Sequence, residues 1–311
     1  MLFTFLMFEL FLIYNIISIM KKILSVLFIL LFSATQILAD ELPIREKFEQ
    51  SKPTYKNKLS IVKFFQNQVN SANDKNLKAL LNCYAQNYVN NDGFDIDVSK
   101  NIVENLWKEK SDIRYKNTVN TISFYGETAI VNVTETTTAK LNDEKNKKGT
   151  LKSCSNVTYY LRRNGEGWLI TSENVISEEI NMLWGDAKYV AMFMEAPNEV
   201  ASGAEYSAKL YIAPPTGILA IASISSEKIT YPQKQQKDAF RKFAPDYSLE
   251  RLLIANSENT NEYAISTIMF SPTNSGNNNI TGYACLIRRV NVVPKNNYIE
   301  VQKKIDDNVK K

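Results

Sequence analysis

The 311-residue chain contains no histidine. That removes the commonest general base near neutral pH and the commonest metal ligand, and it excludes Ser-His-Asp and Cys-His triads. Cysteine is scarce. Cys83, Cys154 and Cys285 show no C-x-x-C spacing, so neither a zinc site nor a redox motif is supported. An odd count leaves either one disulfide with a free thiol or three small apolar side chains, and the second is the expectation. The 10 glycines are scattered and form no phosphate-binding loop. Excess charge of either sign is also missing. There are 37 basic against 33 acidic residues, net +4, spread along the chain, so no nucleic-acid footprint is indicated. No metal and no cofactor is expected.

What is present is enough apolar material for a packed core, at 44%, and enough length for two ordinary domains. Two apolar runs open the chain. Met1–Ile19 carries one acid, Glu9. Lys21 and Lys22 then precede the apolar run Ile23–Leu38, and Ala39 stands before Asp40 and Glu41. A basic start, an apolar centre and a small residue form the grammar of a cleaved signal peptide over residues 1–39, with Met20 as an alternative start. The competing reading is a membrane anchor, although each run is short for a span of about 20 residues. Either way the bulk of the chain is expected outside the cytoplasm, periplasmic or secreted, and tied to the membrane only through this segment. Residues 40–57 read as a linker.

From residue 58 the pattern is helical. Ile61, Val62, Phe65 and Val69 share a face. Asn73 or Asp74 can cap a second helix bearing Leu77, Leu80, Leu81, Tyr84 and Tyr88, and a third follows with Ile102, Val103, Leu106 and Trp107. The period then changes to two. Ile113–Phe124, the run Ala129, Val131, Val133, Glu135, the run Val157, Tyr159, Leu161, and a strand from Trp168 to about Ile176 are expected. Tyr125-Gly126-Glu127 and Asn164-Gly165 are the turns, and the lysine-rich stretch 142–148 is a solvated loop.

Helices followed by antiparallel strands, the turn before Ala129-Ile130-Val131, and the strand Gly167-Trp168-Leu169-Ile170 resemble the nuclear-transport-factor-2-like cone fold. This is the scaffold of ketosteroid isomerase and the SnoaL-like polyketide cyclases. The resemblance implies a cavity over residues 58–187. Candidate lining groups are Tyr84, Tyr88, Trp107, Tyr115, Glu135 and Tyr159, with Asp95 and Asp97 nearby. Glu135 is the one candidate base, because alternation puts it on the face of Val131 and Val133, where burial would raise its pKa. A strand-end carboxylate ordinarily reaches solvent or a lysine instead, and that is the default expectation. None of the isomerase's catalytic positions can be matched residue by residue.

Residues 188–297 carry Leu210–Ile212, Ile218–Ile224, Leu252–Ala255, Tyr263–Phe270 and Tyr283–Val293 as strands between Asn/Ser/Gly/Pro turns, resembling an immunoglobulin-like β-sandwich. A short helical insertion is expected within 229–243, and 298–311 reads as a polar tail. Glycosylation sequons at Asn132, Asn156 and Asn279 fall in or beside strands, which argues against their use at the first two. The expected fold class is therefore α+β: a cone of three helices on a curved antiparallel sheet, then a separate all-β sandwich. The expected role is a non-enzymatic exported binding or scaffolding protein. Its partners would be an envelope protein, a glycan or a small apolar ligand. The alternative is a cavity enzyme doing proton transfer or dehydration.

Overall fold

The computed structural model describes residues 55–110, 112–142, 148–234, 236–273 and 279–295. The proposed signal segment, the polar tail and most of the lysine-rich loop lie outside the described residues.

Three helices come first: α1 (Tyr55–Asn73), α2 (Leu77–Leu81) and α3 (Ile96–Glu109). Asn76 caps α2, accepting from the Ala79 amide at 3.0 Å, and Asp95 caps α3 through the amides of Asp97 and Val98. The second helix is shorter than its apolar spacing predicts. It stops at Leu81, and the chain then pairs its backbone with the sheet near Ile170, with Ala85 N–H donating to Ile170 O and Ile170 N–H to Cys83 O, each at 2.8 Å. Backbone pairing to the sheet wins over continued helix, so Tyr84 and Tyr88 are presented from a loop.

Four long antiparallel strands follow, β1 (Arg114–Tyr125), β2 (Thr128–Asn142), β3 (Lys148–Asn164) and β4 (Gly167–Gly185). After one short 3-10 turn come β5 (Ala191–Glu195), β6 (Glu199–Ala201), β7 (Glu205–Ala213), β8 (Ile218–Lys228), β9 (Arg241–Lys242), β10 (Ser248–Ile254), β11 (Glu262–Pro272) and β12 (Gly282–Val293). No helix forms within 229–243 among the described residues; β9 is its regular element.

The expected cone with a separate sandwich is not what forms. One sheet runs β1-β2-β3-β4-β12-β11-β8-β9 through both halves of the sequence. The joint is β4, which continues past Ile176 to Gly185, and its last seven residues pair antiparallel with β12 from Gly282↔Gly185 to Arg288↔Glu179. At that corner the backbones touch. A Cβ on Gly185, at φ +55°, would lie 2.1 Å from the Thr281 carbonyl oxygen, so only glycine fits. A second, three-stranded sheet, β10-β7-β5, covers one face of the later strands.

Two cores result, one on each face of the large sheet. Helices α1 and α3 press Ile61, Phe65, Ile102 and Leu106 onto Val131, Val133, Tyr159 and Ile170, and the same core continues along the sheet to Tyr263, Ile265 and Ile287. On the other face Ala208, Leu210 and Ile212 of β7 meet Ile224, Ile268, Phe270, Leu286 and Val290. Strand β11 is therefore buried on both faces, and its sequence Tyr-Ala-Ile-Ser-Thr-Ile-Met-Phe lacks the alternation of a half-exposed strand. The three cysteines are free thiols: Cys285 is buried, Cys83 and Cys154 half-buried.

Candidate functional site

Between the helices and the sheet lies a small, partly open cavity. Its free space is about 40 Å³, room for about one water or a few. Helix α1 supplies Gln68, Val69 and Ala72; α3 supplies Ile96, Val103 and Trp107; β1 and β2 supply Tyr115 and Glu135, and Tyr84 reaches in from its loop. Four of the six residues singled out from sequence thus line one space: Tyr84, Trp107, Tyr115 and Glu135. Tyr88 and Tyr159 sit immediately behind, fully buried. Asp95 and Asp97 do not join them and belong to the start of α3.

The walls are hydrogen-bonded in place. Asn73 clamps the backbone of Tyr115, accepting from its N–H at 2.8 Å and donating to its C=O at 2.9 Å. Trp107 Nε1 donates to the Tyr115 hydroxyl at 3.1 Å, and Gln68 Nε2 to the Tyr84 hydroxyl at 3.0 Å. Tyr84 and Tyr88 meet edge to face at 4.9 Å, as do Phe65 and Tyr159 at 5.0 Å.

Glu135 points inward, at 5% exposure. The default expectation of a solvent-seeking strand-end carboxylate fails because β2 runs seven residues further, to Asn142, which leaves Glu135 mid-strand. The Tyr159 hydroxyl donates to its Oε1 at 2.6 Å. Burial pushes the Glu135 carboxyl up to about 8; the Tyr159 hydrogen bond works against the rise and the Glu178 charge adds to it.

Two further glutamates share this face, and the sequence reading missed both. Neither oxygen of the fully buried Glu173 has a partner at full hydrogen-bond geometry, although the Tyr88 hydroxyl lies close enough to lower its pKa. Burial first, then Glu135, still holds the Glu173 carboxyl well above the carboxylate range. Glu178 accepts from Tyr263 at 2.8 Å and from Ser155 at 3.3 Å, and burial pushes it up to about 7 against the pull of Arg289. Glu173 was missed because of the register, and Glu178 because the strand was expected to end at about Ile176. Two bulges in β4, at Thr171 and Ile176, each flip its parity relative to β3. Inward residues therefore run Trp168, Ile170, then Glu173, Val175, then Glu178, Ile180. Simple alternation from Trp168 puts Glu173 outside.

The polar groups form a row across five strands. Glu135 is level with Ser155, and Ser155 with Glu178. The β4–β12 register carries that level to Arg289, which is itself paired with Tyr263 on β11. Arg289 is completely buried. It makes a two-pronged ion pair with the equally buried Asp92, at 2.7 and 3.0 Å, and donates through Nε to Asn291 at 2.7 Å. Burial alone would lower the Arg289 pKa; Asp92 more than offsets this. Asp92 belongs to the loop after Tyr88, so the pair fastens the helical layer to β12, the last strand among the described residues.

Chemically, the site offers carboxyls that are neutral near pH 7, tyrosine hydroxyls whose ionisation burial suppresses, and an apolar wall. It can hold or donate a proton at Glu135. Among the described residues no group of acidic or cysteine side chains is placed to hold a metal ion, and no helix is long and apolar enough to cross a membrane.

No protein-family model matches the chain, and no curated protein matches it. Among solved structures, a candidate aromatic ring hydroxylase from Novosphingobium aromaticivorans is similar at 12% identity with a TM-score of 0.31, over 40% of this chain and 90% of that one. The Kfla4162 protein from Kribbella flavida is similar at 10% identity and a TM-score of 0.32, over 38% and 88%. The intermembrane-space region of chloroplast protein ARC6 is similar at 16% identity and a TM-score of 0.28, over 40% and 98%.

Proposed function

We propose that the chain is an exported, non-catalytic binding or scaffolding protein, in which the cavity under the helices is a small, nearly filled structural element and partners are met at the outer surface. The observation that carries this reading is the free space of about 40 Å³ beside Glu135. A substrate of even a few heavy atoms needs several times that room. The Glu135 carboxyl is also already engaged by Tyr159. Export rests on the signal-like segment ending at Ala39. Amino-terminal sequencing of the exported protein should begin near Asp40; a mature chain that keeps Ile23–Leu38 points to an anchor.

One observation favours a second reading, a proton-transfer enzyme. A carboxyl raised to about 8 and hydrogen-bonded to a tyrosine is poised for general acid–base work at neutral pH. The two readings part on Glu135→Gln. A strain deleted for this protein and complemented with Glu135→Gln should behave as one given the wild-type gene. Loss of complementation at an equal level of folded protein would transfer the assignment to the enzyme reading.

A further inference from the structure

A second concavity, of about 470 Å³, opens where the Asp92 loop, the bulged middle of β4, the turn before β11 and the end of β12 meet. Its walls are unusual in composition: Asn91, Asn174, Asn198, Asn259, Asn261 and Asn291 all contribute. We propose that this groove is a binding site for a neutral, polyhydroxylated ligand, a short segment of glycan.

Four of the six amides build a rigid floor. Asn261 donates to Asp92 Oδ1 at 2.9 Å and to the Asn91 carbonyl at 3.1 Å, and accepts from Val292 N–H at 3.0 Å. Asn291 accepts from Arg289 Nε at 2.7 Å and donates to the Ile176 carbonyl at 2.9 Å. Asn91 donates to Asn174 and accepts from Val175 N–H at 3.1 Å. Everything rests on the buried Arg289–Asp92 pair. The floor is thus organised before any ligand arrives, which lowers the ordering cost of binding. Asn198 and Asn259 stand exposed at the rim, together with the carboxylates of Glu199 and Glu258.

The lining selects a ligand class by what it offers. A side-chain amide presents both donors and an acceptor, and a carboxylate presents acceptors, so vicinal hydroxyls can be met in pairs. Ile176, 44% exposed, with Val293 and Pro294 supplies an apolar strip for the C–H face of a sugar ring. No lysine or arginine lines the groove. Arg289 is committed to Asp92, and Lys228 is held outside by Glu258 at 2.7 Å. Phosphates and acidic peptides therefore find no counter-charge. No aromatic lines it either.

The proposal deepens the binding reading, but it is tested apart from that reading because no groove residue contacts Glu135. The whole chain is titrated by nuclear magnetic resonance with a panel of neutral trisaccharides built on glucose, mannose, galactose and N-acetylglucosamine. At least one should bind with a micromolar-to-millimolar Kd and shift the side-chain amide signals of Asn198 and Asn259. The triple variant Asn198→Ala, Glu199→Gln, Asn259→Gly keeps the floor. Glycine also tolerates the φ of +54° at position 259. It should weaken binding by about tenfold or more, while Glu135→Gln leaves it unchanged. Should the triple variant prove poorly folded, Asn174→Ala and the wild-type signal shifts decide. Failure of every trisaccharide to bind would overturn the proposal, as would binding that leaves the groove amides unshifted or is insensitive to the variants.

Discussion

Replacing Arg289 by methionine is expected to lower the folding stability by about 3–5 kcal/mol, the range found when one member of a buried ion pair is removed. The reasoning is local. Both side chains are at 0% exposure, so Asp92 would be left as an uncompensated charge, and Asn291 and Asn91 would each lose a donor. Glu178, whose pKa Arg289 pulls down, would be pushed higher still. Thermal unfolding should shift down by roughly 10 °C for a chain of this size. The double variant Arg289→Met with Asp92→Leu should recover much of the loss, because no charge is then stranded. Denaturant melts of the four proteins measure this. Single variants that cost under about 1 kcal/mol would mean that water reaches the pair.

A second large effect is expected from pH alone. Glu135 and Glu178 have folded-state pKa values raised to about 8 and about 7, against the ordinary 4.5 of a glutamate. Glu173 is raised in the same direction. Between roughly pH 5 and 7 the folded state therefore binds more protons than the unfolded chain, and stability falls as pH rises. Each such group contributes a slope of about 1.4 kcal/mol per pH unit while it is protonated when folded and ionised when unfolded. The stability is fully present below pH 4.5 and lost as pH climbs through 7 to 8. Acid unfolding of an ordinary domain runs the other way. The chain should be most stable toward the acid side of neutrality, and Glu135→Gln should flatten the curve above pH 5 and raise stability at pH 8. Urea midpoints measured from pH 5 to 9 test both statements; a wild-type midpoint that rises from pH 5 to 8 would refute the account.

The legibility of this chain varied with the length over which its patterns held. Period-two runs such as Ala129-Val131-Val133-Glu135 and Val157-Tyr159-Leu161 placed their strands and faces, because one buried face of a regular strand leaves a regular trace. The helices α1 and α3 were legible for the same reason. The continuous sheet was not. It depends on β4 pairing with β12 about a hundred positions later, and nothing local encodes that partner. Strands β11 and β12, buried on both faces, read as generic apolar runs, and a separate sandwich was the natural but mistaken inference. In the site, Glu135 and Tyr159 were found by strand parity, whereas Tyr84 and Tyr88 were read from helical spacing onto a helix that in fact stops at Leu81. Glu173 was hidden by the bulge at Thr171, which shifts parity without a sequence signal of its own, and Glu178 lies beyond Ile176, where the strand was expected to end. Asp92 and Arg289 were hidden because an ion pair between a loop and β12 exists only in three dimensions.

Glu135 should be a neutral, buried group held by Tyr159 beside a space too small for a substrate, not a base poised over one. Infrared difference spectra between wild type and Glu135→Gln, recorded across pH, read that state directly. The protonated carboxyl band of Glu135 should be present at pH 7 and lost only near pH 8. A Glu135 already ionised at pH 6 would contradict it, since only an open, water-filled cavity would let that carboxylate keep its charge.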